Sequence, residues 1–344
     1  MTDYKVSEFW SPSRGCDASS LLTAAMMLDK PLLIYKNHRI GIPHRSQEHR
    51  LTAFSTALKS KEFVVTSELN PPKGTDLTKL YEVADCLRDY VDAFNVTDSH
   101  NARMSIAPMA VAHLLHDRGI ESIVQVTSRD RNRIALQADL LGAAVLGINN
   151  IVVMGGDPPS YGDHPEAKPV FDVYAAMIIE AARALENGTD LAGNALNGTP
   201  KFCVGAVVNP GATNITDEIK RMEEKIEAGA DFLQTQAIFD PGAFEKFVKR
   251  TKSLNVPVLA GIIPLKSAKM AAYLNAKVPG IHVPDALIRE IDDAVEPDNT
   301  SAAIAARTIK ALRGLCQGIH IMPIGRERLV PRILEEAGVD SSPS

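Results

Sequence analysis

Apolar residues in this chain gather into short runs rich in Val and Ile, and longer stretches with apolar positions three or four apart lie between those runs. Eight runs read as strands: FVVTSEL (63–69), DAFNVTD (92–98), SIVQVTS (122–128), NIVVMGGD (150–157), KFCVGAVV (201–208), FLQTQAIF (232–239), VPVLAGIIP (256–264) and IHIMPIG (319–325). Segments such as APMAVAHLLHDRG, RNRIALQADLLGAAVLG, TDEIKRMEEKIEAGA and PGAFEKFVKRTKSL have helical periodicity, and several close on a glycine of the kind found just past a helix end. Strand and helix alternating eight times predict an α/β fold, a (β/α)8 TIM barrel. A doubly wound open sheet is the alternative, but its dinucleotide fingerprint G-x-G-x-x-G does not follow the first strand.

Two parts break this rhythm. PPSYGDHPEAKPVFD, after the fourth run, is too long and too rich in Pro, Gly and charge for an ordinary connection, and it stands where barrels carry active-site lids. Residues 1–60 read as an N-terminal extension holding a helix near Ser19 to Leu28 and the basic segment KNHRIGIPHRSQEHR, a solvated arm or a subunit contact. The barrel is expected over 61–338, with a short tail at 339–344.

In a barrel of this kind, chemistry gathers at the C-terminal ends of the strands. Those ends carry Glu68, Thr97, Asp98 and His100, Gln125 with Thr127 and Arg129, then Gly155, Gly156 and Asp157, Asn209, Gln234 and Gln236, and Arg326. A ring of buried polar groups is costly unless they satisfy one another or a ligand. Glu68 is the most pointed of them, because FVVTSELNPP delivers a carboxylate at the tip of an apolar strand and two prolines then stop the strand. The glycine pair beside Asp157 lets a flat or phosphorylated ligand approach the backbone. Arg129, Arg131 and Arg133 of SRDRNR open a helix, where they read either as a phosphate site or as a solvated first turn. His113 and His116 have i, i+3 spacing but no H-E-x-x-H arrangement, so no metal set is assigned.

Composition narrows the partners. With 344 residues, 45% of them hydrophobic, the chain buries a large core, which excludes a disordered or fibrous protein. A net charge of −5 gives no basic excess for nucleic acid or an anionic membrane, so a small-molecule role is favoured. No apolar run approaches the ~20 residues of a membrane span. The four cysteines lack any disulfide or C-x-x-C spacing, and a cytoplasmic protein with buried thiols is expected.

Together, VVTSELNPPKGTD, NVTD, TSRDRNRIALQADLLGAAVLGINNIVVMGGDPP, GAVVNPGA, AGADFLQTQAIFD, VPVLAGIIPLKSA and GIHIMPIGRE resemble the methylenetetrahydrofolate reductase family, closest to its acetogen-type catalytic subunit, over roughly residues 61–338. The resemblance implies a (β/α)8 flavoenzyme. A bound flavin, FAD by family default, takes electrons from NAD(P)H and passes hydride to 5,10-methylenetetrahydrofolate, giving 5-methyltetrahydrofolate. Glu68 then matches the family's general acid toward N10, and a carboxyl in a largely apolar site is expected to favour its neutral form. Asp157 matches the aspartate beside flavin and pterin, Gln236 a pterin contact, and Arg326 the partner of the folate's glutamate carboxylate. Thr97, Asp98, His100, Gln125, Gly155, Gly156, Asp157, Asn209 and Lys225 fall on flavin-lining positions.

Several of these residues depart from the commoner pattern. Gln125 and Asn209 replace histidines, Gly155 an arginine, Val207 a tyrosine and Glu224 a basic residue, while Ala268 lies near where a stacking phenylalanine is usual. The changes remove charge and stacking surface from a dinucleotide site, so FMN, or FAD held by the SRDRNR arginines, stands beside the default. The resemblance also implies a homo- or hetero-oligomer, with a second subunit as a possible source of electrons. A pterin-binding methyltransferase and a non-catalytic barrel subunit of a larger complex are the rival readings.

Overall fold

In a computed structural model, which describes residues 52–339, eight parallel strands close into one barrel in chain order. They are β1 (Val64–Leu69), β2 (Ala93–Val96), β3 (Ser122–Thr127), β4 (Asn150–Met154), β5 (Cys203–Val208), β6 (Phe232–Ala237), β7 (Val258–Ile262) and β8 (Gly318–Ile321). β1 pairs with both β2 and β8, which closes the ring: Glu68 stands opposite Asn95, and Thr66 opposite His320. Every strand falls within or overlaps the expected run. The strands stop two to four residues short at several C-terminal ends, because the polar tips leave the ladder and enter loops. The helix expected near Ser19 to Leu28 and the basic segment after it lie outside the described residues.

The α-helices are α1 (Ala53–Ser60), α2 (Thr78–Leu87), α3 (Pro108–His116), α4 (Arg133–Val145), α5 (Ala175–Glu186), α6 (Ile215–Glu227) and α7 (Pro241–Thr251), then α8 (Ala268–Lys277), α9 (Asp285–Asp292), α10 (Pro297–Leu312) and α11 (Val330–Ala337). Their starts follow local chemistry. Asn132, Asn214, Asp240 and Ser267 each accept a backbone N–H in the first turn of the helix that follows, removing an orphan donor. The main core lies between strands and helices, where outward residues such as Val65, Val96, Val124, Ile151 and Val204 meet Leu80, Leu115, Leu136 and Ile179. Three helices rather than one separate β7 from β8. α8, α9 and α10 enclose a satellite core of Ile263, Leu265, Leu274, Ile281, Val283, Ile291 and Ile304.

Helix α1 falls in the stretch expected ahead of the barrel, and it packs across the barrel's N-terminal mouth. Phe54 is fully buried and meets Phe232 edge to face at 5.1 Å, over an inner layer of Val64, Ala93, Ile123, Val152 and Leu259. Its N-cap Thr52 is tied to Asn150 at 2.7 Å, and Asn150 to Glu121 at 2.6 Å. Above this apolar floor, Asn95 of β2 and Gln234 of β6 cross the barrel interior and exchange hydrogen bonds of 2.7 and 3.2 Å. With the floor sealed by side chains, the open C-terminal end is left for a ligand.

Candidate active site

At the C-terminal mouth the buried polar residues divide into those held by one another and those left facing space. Glu68 is 8% exposed; Gln125 Nε2 donates to its Oε1 at 3.5 Å, and His320 Nε2 lies 3.9 Å from the same oxygen. His320 Nδ1 is 3.0 Å from the Thr66 hydroxyl, which in turn donates to the Ile319 carbonyl at 3.4 Å. A hydroxyl whose proton is so engaged accepts from Nδ1–H, which leaves Nε2 as the nitrogen that exchanges a proton toward Glu68.

The expectation of a neutral Glu68 in apolar surroundings is overturned. Burial pushes its carboxyl up, but the pull of His320, the charge of His100 and the Gln125 amide more than offset this and hold it below the ordinary glutamate value. His320 is not among the residues that the sequence pattern singles out. The signal was its place in GIHI, where a polar residue alternates with isoleucines and so points inward.

The SRDRNR arginines are each ion-paired within the fold. Arg129 is 3% exposed; it grips Asp130 at 2.7 Å and donates to the carbonyls of Asp98, Ser99 and Asp157 at 3.4 to 3.5 Å, stitching together the loops after β2, β3 and β4. Arg131 pairs with Asp98 and with Asp139, and Arg133 with Asp172 at 2.8 Å. Each charge has a carboxylate partner in the fold.

The remaining candidates are placed as follows. Asp98 accepts from both the amide and the hydroxyl of Thr127, at 3.0 and 2.8 Å, besides Arg131. Lys225 donates to the Val207 carbonyl at 2.8 Å, and burial pushes its ammonium down. Asn209 donates to Pro279 and accepts from Gly211. These three are held within the fold. Thr97 bonds Asn70 at 2.9 Å and lines, with His100, Lys73 and Arg103, a cavity of about 470 Å³. Gln236 is half-buried where β6 loses register, its side-chain oxygen on the Ala237 amide. Gly155 and Asp157 are exposed at the tip of β4. Gly156 between them has φ +86°, and a Cβ there would come within 3.1 Å of Thr127, so only glycine suits the turn. Arg326 stands apart beside β8, ion-paired with Asp298 in a second cavity of about 520 Å³.

The segment after β4 closes down on this mouth. Gly162 abuts Ala102, leaving no room for a side chain, and Asp163 takes Lys73, the Met104 amide and His164. These bonds hold the Asp163 carboxyl far below the usual range, with Lys73 as the main cause.

The family model described as methylenetetrahydrofolate reductase matches residues 53–338. The chain belongs to this family. Among curated proteins it is similar to methylenetetrahydrofolate reductase 2 of Schizosaccharomyces pombe, 27% identical over 244 residues, and to 5,10-methylenetetrahydrofolate reductase of Pectobacterium carotovorum, 24% identical over 308. These matches take in 64% and 86% of this chain, and 36% and 97% of the two relatives, so the chain spans about a third of the fungal protein's length. A solved protein of Clostridium thermocellum, which binds two copies of 5-methyl-5,6,7,8-tetrahydrofolic acid, has a TM-score of 0.60 at 17% identity, covering 84% of this chain and 100% of its own; the likeness is one of fold. The family implies a flavin, and the tip of β4 is open on the side of Gly155, where a Cβ would meet nothing within 4 Å; Gln125 lies two strand positions below Thr127 on the adjoining strand. The neighbouring SRDRNR arginines and Lys225 are already engaged.

Proposed function

We propose that this protein reduces 5,10-methylenetetrahydrofolate to 5-methyltetrahydrofolate with a bound flavin, in one-carbon metabolism. The observation that carries the reading is a buried Glu68 at the open end of a reductase-family barrel, coupled to a histidine that can hold its proton.

The substrate's methylene bridges N5 and N10. Its C–N10 bond breaks as N10 takes a proton, leaving an N5 iminium that hydride converts to methyl. Glu68 supplies the proton to N10. Because the ligand-free carboxyl favours its ionised form, that proton is drawn from His320 Nε2, with Thr66 fixing the ring by its contact at Nδ1. A substrate ring laid over the pair excludes water and removes hydration from the carboxylate, which drives the proton onto Glu68. Asp157, which makes no ion pair among the described residues, takes the pterin's amino-pyrimidine edge, and Gln236 makes a second pterin contact. Arg326 meets the glutamate carboxylate. Thr97, His100, Gln125, Gly155 and Gly156 would hold the flavin, which when bound would supply the hydride, with NAD(P)H or an electron-delivering subunit as the source of electrons.

The test is Glu68→Gln. Folate reduction is expected to fall by about 10²- to 10⁴-fold, the usual worth of a placed acid, while reduction of the enzyme-bound flavin by its donor stays within about twofold. Equal loss of both half-reactions sinks the assignment. Purified protein carrying no flavin sinks the cofactor.

A further inference from the structure

Arg326 lies beside α10, whose first turn carries Asp298. The guanidinium side chain is 12% exposed, and its Nη1 has Asp298 as ion partner. Arg328, 79% exposed, holds the other oxygen of Asp298 at 2.8 Å. Lys266, Ser267, Pro297 and Asn299 complete the open cavity around them. One carboxylate of the protein thus bridges two arginines of unequal burial. The more buried of the two presents a planar fork, the geometry that a ligand's carboxylate would match as Asp298 does.

We infer that Asp298 is an exchangeable counter-ion that occupies Arg326 until the glutamate carboxylate of the folate displaces it, and so sets the affinity for the substrate's tail. This rests on the function proposed above. The exchange costs little. Arg328 and the N-terminus of α10 keep Asp298 compensated when it leaves, and the incoming carboxylate restores the charge on Arg326. Asp298 contacts Arg326 rather than the reacting atoms, so it is a specificity-determining residue and not a catalytic one. Its presence makes binding selective, since a ligand without a carboxylate has nothing with which to replace it.

Asp298→Asn removes the competitor and keeps a residue suited to a helix start. Binding of 5-methyltetrahydrofolate, followed by calorimetry, is expected to tighten about fivefold, the scale of one partly exposed ion pair. Binding of 5-methyltetrahydropteroate, which lacks only the glutamate, is expected to be the same in both proteins. In an Arg326→Met background the substitution at Asp298 is expected to change nothing. Unchanged or weaker folate binding by folded Asp298→Asn overturns the inference, as does tightening that persists without Arg326 or appears equally with the pteroate. If Asp298→Asn does not fold, Asp298→Ser carries the same comparison. Failure of the unsubstituted chain to bind either compound overturns the functional reading beneath it instead.

Discussion

His320 lies 3.9 Å from Glu68 and helps to hold its carboxyl down, and each residue is over nine-tenths buried. Burial alone raises a carboxyl, and only the histidine neighbours and Gln125 bring this one down. Replacing His320 by Gln is therefore expected to leave burial dominant and to raise the Glu68 value. The consequence for stability has a definite sign. A depressed carboxyl contributes stability that is present above its ordinary value of 4.5 and lost as pH falls through the lower folded value. Acid unfolding of the wild-type chain compared with Glu68→Gln isolates that contribution, and in the His320→Gln background it is expected to vanish or change sign. An unaltered difference between the two backgrounds would show that His320 does not govern Glu68.

The loops matter at the next scale, because each candidate residue stands on a strand tip whose direction another loop decides. Arg129 holds three loops through backbone carbonyls, and Asp163 holds the segment after β4 against those that follow β1 and β2. Lid-like placement was legible in PPSYGDHPEAKPVFD from its length and composition, but the latch was not, since Lys73 and Met104 are distant in sequence. Asp163→Asn is expected to leave the melting temperature nearly unchanged, because the latch is a surface contact. Limited proteolysis within 158–174 is expected to speed up several-fold. Cleavage at the wild-type rate would mean that the Gly162–Ala102 contact alone keeps the segment down.

For the molecule as a whole, the closed sheet makes the two ends of the barrel unlike. Phe54 seals one end against Phe232, and the amide pair Asn95–Gln234 separates that dry floor from the polar mouth. Phe54→Ala is expected to cost about 3–5 kcal/mol, the range for emptying a buried phenylalanine site. Denaturant unfolding checks this, and a loss below about 1 kcal/mol would show that the floor does not depend on α1. The barrel was legible in the sequence because strand and helix leave local signatures of period 2.0 and 3.6, and so was the end at which Glu68 stands, because the fold places the C-terminal strand tips on one rim. Ion pairing was not legible, because it depends on which groups from separate loops meet in space. Only the tertiary structure committed Arg129, Arg131 and Arg133 to carboxylates, set His320 beside Glu68 across the closing β1–β8 seam, and brought Asp298 from an extra helix onto Arg326.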